Sequence, residues 1–141
     1  LRRPHRFAAN TLAYANAEKF PDADEFHVAD PTMTVSKLNI NKPSYLVIAC
    51  RGHLEDQQVL EQAIKTPAGY IGMVGSKKKV KTILTNMKAT GISQENLDKI
   101  HAPIGLRIAT ETPDEIAVSI MAEIIDIRRQ RVKPRVKAPS T

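Results

Sequence analysis

Tryptophan is absent, and aromatic residues make up only 4% of the 141 residues, so the chain lacks the stacking platforms that single-stranded nucleic acids need. Cysteine occurs once, as Cys50, which excludes an internal disulfide and any cysteine-rich zinc cluster. Nothing therefore calls for an oxidising compartment, and a cytoplasmic protein is expected. Long apolar runs are missing as well: none approaches the roughly 18 residues of a membrane span, and the opening LRRPHRFAAN has no apolar signal-peptide core. Neither a membrane partner nor a nucleic-acid partner is expected. The chain also begins without Met, which leaves open whether it is a fragment of a longer protein.

What is present suffices for one folded domain, since 42% of residues are hydrophobic. The formal charge of +6 favours an anionic ligand, but the excess is local. Lys77, Lys78, Lys79 and Lys81 crowd into five positions, and Arg128, Arg129, Arg131, Lys133, Arg135 and Lys137 gather at the end. Such patches suit a site better than an extended nucleic-acid face.

Apolar stretches rich in β-branched residues predict strands over 25–29, 45–50 and 70–74, with a weaker one over 104–108. Between them lie helical patterns. Leu54, Val59, Leu60, Ala63 and Ile64 fall on one side, and Val80, Ile83, Leu84 and Met87 follow the i, i+3, i+4, i+7 rule. The unbroken run Tyr45-Leu46-Val47-Ile48-Ala49-Cys50 suits a parallel strand covered on both faces, so an α/β domain with a mostly parallel sheet is predicted. Thr112-Pro113-Asp114-Glu115 is a capping box with Pro at the first helical position. The helix it opens, over 116–127, is apolar nearly all round and predicts burial on most sides, including against a second copy of the chain. Within it Ser119 and Glu123 share a face, and the carboxylate needs a partner. The final VKPRVKAPST, over 132–141, reads as a basic, Pro-containing tail beyond a domain spanning 1–131.

Chemistry is expected at the carboxyl ends of the strands, where helix N-termini present unpaired N–H groups. One such end carries Arg51-Gly52-His53: glycine permits a tight turn, and the two basic side chains can hold an anion or exchange a proton. The plainer alternative is that His53 caps its helix and Asp56 complements the dipole. The second is Gly72-Met73-Val74-Gly75-Ser76-Lys77, in which Gly75 admits a ligand to the backbone, Ser76 caps and donates, and Lys77 adds charge. Lysines there oppose the helix dipole, which an anion would explain and a merely solvated surface explains less well. Arg51, Gly52, His53, Gly72, Gly75, Ser76 and Lys77 are thus the candidate cofactor-binding residues. Neither the GxxxxGK[ST] nor the GxGxxG spacing occurs. No catalytic residue and no metal ligand is assigned, and Cys50 reads as a small core residue.

The runs YIGMVGSKKK, IHAPIGLRIATETPDEIAVSIMAEII and RGHLEDQQVL strongly resemble the C-terminal Rossmann-like domain of the XdhC/CoxI family, the xanthine dehydrogenase accessory factors. The resemblance implies a three-layer Rossmann-like fold and a factor that binds molybdopterin. Such a factor assists sulfuration of this molybdenum cofactor and hands it to a molybdenum hydroxylase client. The sulfur donor, a cysteine desulfurase, would act through regions absent from this chain. The cofactor ends in a phosphate, in keeping with the Gly75-Ser76-Lys77 reading. The sequence departs from the family in lacking the glycine-rich strand-turn-helix usually found ahead of the segment matching Arg3 to Ala8. The sheet is therefore expected to be incomplete at its N-terminal side, with two strand edges open unless another chain supplies the strand, the strands rearrange, or the chain is a piece of a longer protein. Together with the apolar last helix, those edges predict a homo-oligomer. The alternative to a maturation factor is a Rossmann-type oxidoreductase using a nicotinamide nucleotide, NAD(P). A third reading, an interaction module, draws on the tail and the last helix.

Overall fold

The computed structural model describes residues 5–9 and 16–132. In chain order the elements are β1 (Arg6–Ala9), β2 (Glu25–Val28), α1 (Pro31–Lys37), β3 (Tyr45–Ile48), α2 (His53–Ala63), β4 (Tyr70–Met73), α3 (Lys77–Ala89), α4 (Gln94–Leu97), β5 (Ile100–His101) and α5 (Pro113–Val132). The strands form two parallel sheets, β1-β2 and β3-β4-β5. Tyr45 lies opposite Tyr70 and Ile71 opposite Ile100. This is the α/β arrangement predicted, and the sheet is divided in two between β2 and β3, as expected of a sheet incomplete on its N-terminal side. Among the described residues β3 pairs only with β4, and Val47 is 50% exposed.

Strand alternation sorts the three-stranded sheet into two faces. Ile48, Ile71 and Met73 pack with Val59, Leu60 and Ala63 of α2 and with Val80, Ile83 and Met87 of α3 in one core. Each large apolar side chain fully withdrawn there contributes about 1.5–3 kcal/mol. On the other face Tyr70 and Gly72 meet Ile104 and α5. Gly72 is needed for that contact, because a Cβ would lie 2.5 Å from Ile104 Cδ1 and 2.6 Å from the Tyr70 hydroxyl.

The structure corrects the weak strand predicted over 104–108. Its alternating Ile104, Leu106 and Ile108 imitate a half-buried strand, but Gly105 has φ 97° and the amides are used elsewhere. Ile104 N–H donates to Met73 O (3.0 Å), and Leu106 N–H donates to Ser119 O in α5 (3.1 Å). The last strand is instead the short Ile100–His101. Helix α1 had no periodicity to betray it, yet Asp30 caps it through Thr32 N–H (2.9 Å) and Pro31 starts it.

The capping box of α5 is present: Glu115 N–H donates to Thr112 Oγ1 (3.2 Å), and Thr112 N–H donates to Glu115 Oε1 (3.0 Å). The backbone N–H groups of Glu111 (2.8 Å) and Thr112, both donating to Glu115 Oε1, hold the Glu115 carboxyl below its ordinary pKa. The apolar girth of α5 is covered only in part, with Val118 64%, Met121 54% and Ile125 45% exposed. Residues 133–141, most of the expected tail, lie outside the described residues.

Candidate functional site

Because β3 and β4 are parallel neighbours, the turns that follow them emerge side by side, and Val74 N–H extends the ladder to Ile48 O (2.9 Å). Each turn runs straight into a helix. Gly52 is the N-cap of α2 and offers no side-chain acceptor, so the first amides of α2 have none from their cap. Ser76 caps α3, its Oγ accepting from Lys79 N–H (3.2 Å) while its own hydroxyl hydrogen can donate. The first turn of α3 holds no acidic residue. Two helix N-termini, each worth roughly half a positive charge, therefore open at one edge of the sheet.

Six of the seven candidates gather there. Arg51, His53, Ser76 and Lys77 are exposed, and Gly52 and Gly75 are half-buried in the turns. Gly72 stands apart, buried inside β4 under Ile104. The edge presents hydroxyl, amide and cationic donors, which suits an anion. It has no activated nucleophile. Burial, followed by the nearby Asp56 and Glu55 carboxylates, pushes the Cys50 thiol up to about 12, so it stays protonated at neutral pH.

Beneath this edge lies a pair that sequence reasoning missed. Asp56 is fully buried; its Oδ1 accepts the Cys50 N–H (3.0 Å) and its Oδ2 pairs with Lys79 Nζ. Its first-turn position suggested only a dipole role, and Lys79 looked like one of four surface lysines. Nothing in either segment alone marks the pairing.

A second polar cluster, half-buried, lies on the opposite face. Glu123 Oε1 accepts from the Tyr70 hydroxyl (2.7 Å) and from Gly105 N–H (3.3 Å). His101 stacks on Tyr70 at 4.8 Å, its Nδ1 3.8 Å from the carboxylate. Burial first, and then the Glu123 carboxylate, raise the Tyr70 phenol above its ordinary value. The partner that the carboxylate needs is thus supplied by a tyrosine and a backbone amide. Ser119 instead donates to Ile116 O (2.7 Å).

The sequence profile of the XdhC Rossmann domain matches residues 4–124. The chain belongs to the XdhC family. A YqeB protein of Escherichia coli, whose function is uncharacterised, is 30% identical over 89% of this chain and 23% of its own length. A Bacillus subtilis protein described as a probable subunit of xanthine dehydrogenase is 30% identical over 84% of this chain and 34% of its own length. The molybdenum cofactor insertion chaperone PaoD of E. coli is 23% identical over 82% of this chain and 36% of its own. Among solved structures, a xanthine dehydrogenase from Bacillus halodurans superposes with a TM-score of 0.76 at 29% identity, covering 96% of this chain and 37% of that one. This XdhC domain thus spans between 23% and 36% of the length of its curated relatives. Among its described residues, no helix is long and apolar enough to cross a membrane.

Proposed function

We propose that this domain binds the phosphate end of molybdopterin at the joined carboxyl edge of β3 and β4. It would do so as part of a maturation factor that delivers the molybdenum cofactor to a xanthine dehydrogenase-type hydroxylase. The single observation behind this reading is the convergence of two helix N-termini with Ser76, Lys77, Arg51 and His53 at one edge. The donor set fits the group: a terminal phosphate takes hydroxyl, amide and ammonium donors, the first turn of α3 has no acidic side chain, and of the two in the first turn of α2, Glu55 and Asp56, the latter is answered by Lys79. Bound cofactor supplies the anion and, in the client enzyme, the redox metal. This chain's part is to bind and orient: Lys77 and Arg51 neutralise charge, Ser76 donates, and Gly52 and Gly75 keep the turns low.

The protonated Cys50 fits a domain that receives cofactor without carrying sulfur itself. Sulfuration with a cysteine desulfurase as donor would use groups other than those of this chain. The exposed Val118, Met121 and Ile125 support self-association during this work.

The test is equilibrium binding of molybdopterin to wild type and to Ser76→Ala with Lys77→Ala. Losing charge-assisted bonds worth about 1.5–3 kcal/mol should weaken binding at least tenfold. A change within twofold would place the phosphate elsewhere. Tighter binding of NAD(P) than of the pterin would favour the oxidoreductase alternative.

A further inference from the structure

We propose that Asp56 and Lys79 are positioning residues of this site: their buried ion pair fixes the Arg51-Gly52-His53 turn against the first turn of α3, so that both turns address one anion. The inference rests on the functional reading above and adds the groups that hold the edge in shape without touching the ligand.

Three observations carry it. Asp56 is completely buried, and a carboxylate tolerates that only with a balancing charge and satisfied oxygens. Both of its partners come from the turns in question: the Cys50 N–H, one residue before Arg51, and the Lys79 ammonium, from the opening turn of α3. Gly75 borders the path between them: a Cβ there would lie 3.1 Å from Lys79 Cδ, so the lysine stem would have to give by a few tenths of an ångström.

The pairing also divides the labour among the lysines. Lys77 and Lys78 are exposed at the edge, whereas the Lys79 side chain is only 17% exposed and its charge is answered by Asp56. A positioning role and a ligand role for Lys79 make opposite forecasts. If Lys79 were the anion's ligand, removing Asp56 would release its charge and tighten binding. If the pair positions the turns, removing either member loosens both.

The experiment uses the full chain as wild type, Asp56→Asn, Lys79→Met and the double variant. Binding of molybdopterin released from a purified molybdenum enzyme is measured by equilibrium dialysis, and amide hydrogen exchange is followed over residues 50–53 and 76–80. Each single variant should weaken binding about five- to tenfold, with the double no weaker than either single. Exchange should quicken in both turns whichever partner is changed. Alkylation of Cys50 should accelerate in Asp56→Asn and not in Lys79→Met, because Asp56 helps to keep that thiol protonated and Lys79 opposes it.

Losses that multiply in the double variant would overturn the proposal, as would tighter binding in Asp56→Asn or exchange that quickens only in the substituted turn. Should Asp56→Asn fail to fold, Lys79→Met decides, with the same exchange pattern expected and the same exception overturning it. Coupled loosening of both turns in a protein that binds no molybdopterin would support the positioning role and overturn the cofactor reading instead.

Discussion

The three-stranded sheet keeps a carboxylate on each face, one fully buried and one half-buried, and the two are answered differently. Asp56, under the α2 and α3 face, meets a cation, Lys79, and one backbone amide. Glu123, on the α5 face, meets neutral donors, the Tyr70 hydroxyl and Gly105 N–H, with His101 at 3.8 Å. A charge neutralised by an opposite charge in the interior cannot lose its partner cheaply. An acceptor served by neutral donors can be exchanged for an amide with little harm. The first arrangement suits an edge whose two turns must keep their spacing, and the second suits a helix that only has to stay attached.

The sharpest way to break this comparison is to truncate one carboxylate and make the other an amide. Asp56→Ala should destabilise the domain by about 3 kcal/mol, since it strands the Lys79 ammonium and the Cys50 amide. Glu123→Gln keeps an oxygen for Tyr70 and should cost about 1 kcal/mol. Urea titration measures both, and equal losses would erase the distinction. Between them falls Gly105→Ala. Gly105 has φ 97°, and a Cβ there would collide with Ser119 Oγ. About 2 kcal/mol of strain should appear, confined to the attachment of α5.

How much of this was legible in the sequence depended on whether the physical cause was local. Helices α2 and α3 announced themselves by periodicity, β3 and β4 by unbroken apolar runs, and the α5 cap by Thr112 and Glu115. The segment over 104–108 misled because alternation is a signature of side-chain direction, whereas the ladder depends on where amides point. Leu106 N–H goes to α5. Helix α1 is rich in Thr and Val, weak helix formers, and its only readable mark was Asp30-Pro31. At the site, the two strand-end turns were legible because parallel strands bring such ends together. Asp56–Lys79 and Tyr70–Glu123, separated by 53 positions in the second case, were not, since only folding puts them in contact.

Titration sharpens the contrast further. A thiol held to about 12 in the folded state, against 9.0 ordinarily, contributes stability that is fully present below pH 9 and is lost as pH rises toward 12. The pH midpoint of Cys50 alkylation by iodoacetamide should therefore lie well above pH 10 in wild type and lower in Asp56→Asn. Glu123→Gln, on the other face, should leave it unchanged. At the acid end, Glu115 is held below its ordinary value, so the cap of α5 is intact above that value and is lost as pH falls beneath it. The smallest effect is expected at Val118, 64% exposed: Val118→Ser should change monomer stability by less than about 0.5 kcal/mol. Sedimentation velocity on the same variant should nonetheless show weaker self-association, and an unchanged association constant would remove α5 from the interface.

On the proposed function, the cofactor's phosphate sits at the shared edge of β3 and β4 and not against the α5 face. Amide chemical-shift mapping during titration with molybdopterin tests this most directly. The largest shifts should fall on Gly52, His53 and residues 75–78, with Tyr70, His101 and Gly105 still. Shifts centred on Tyr70, His101 and Gly105, with the two turns unmoved, would contradict it.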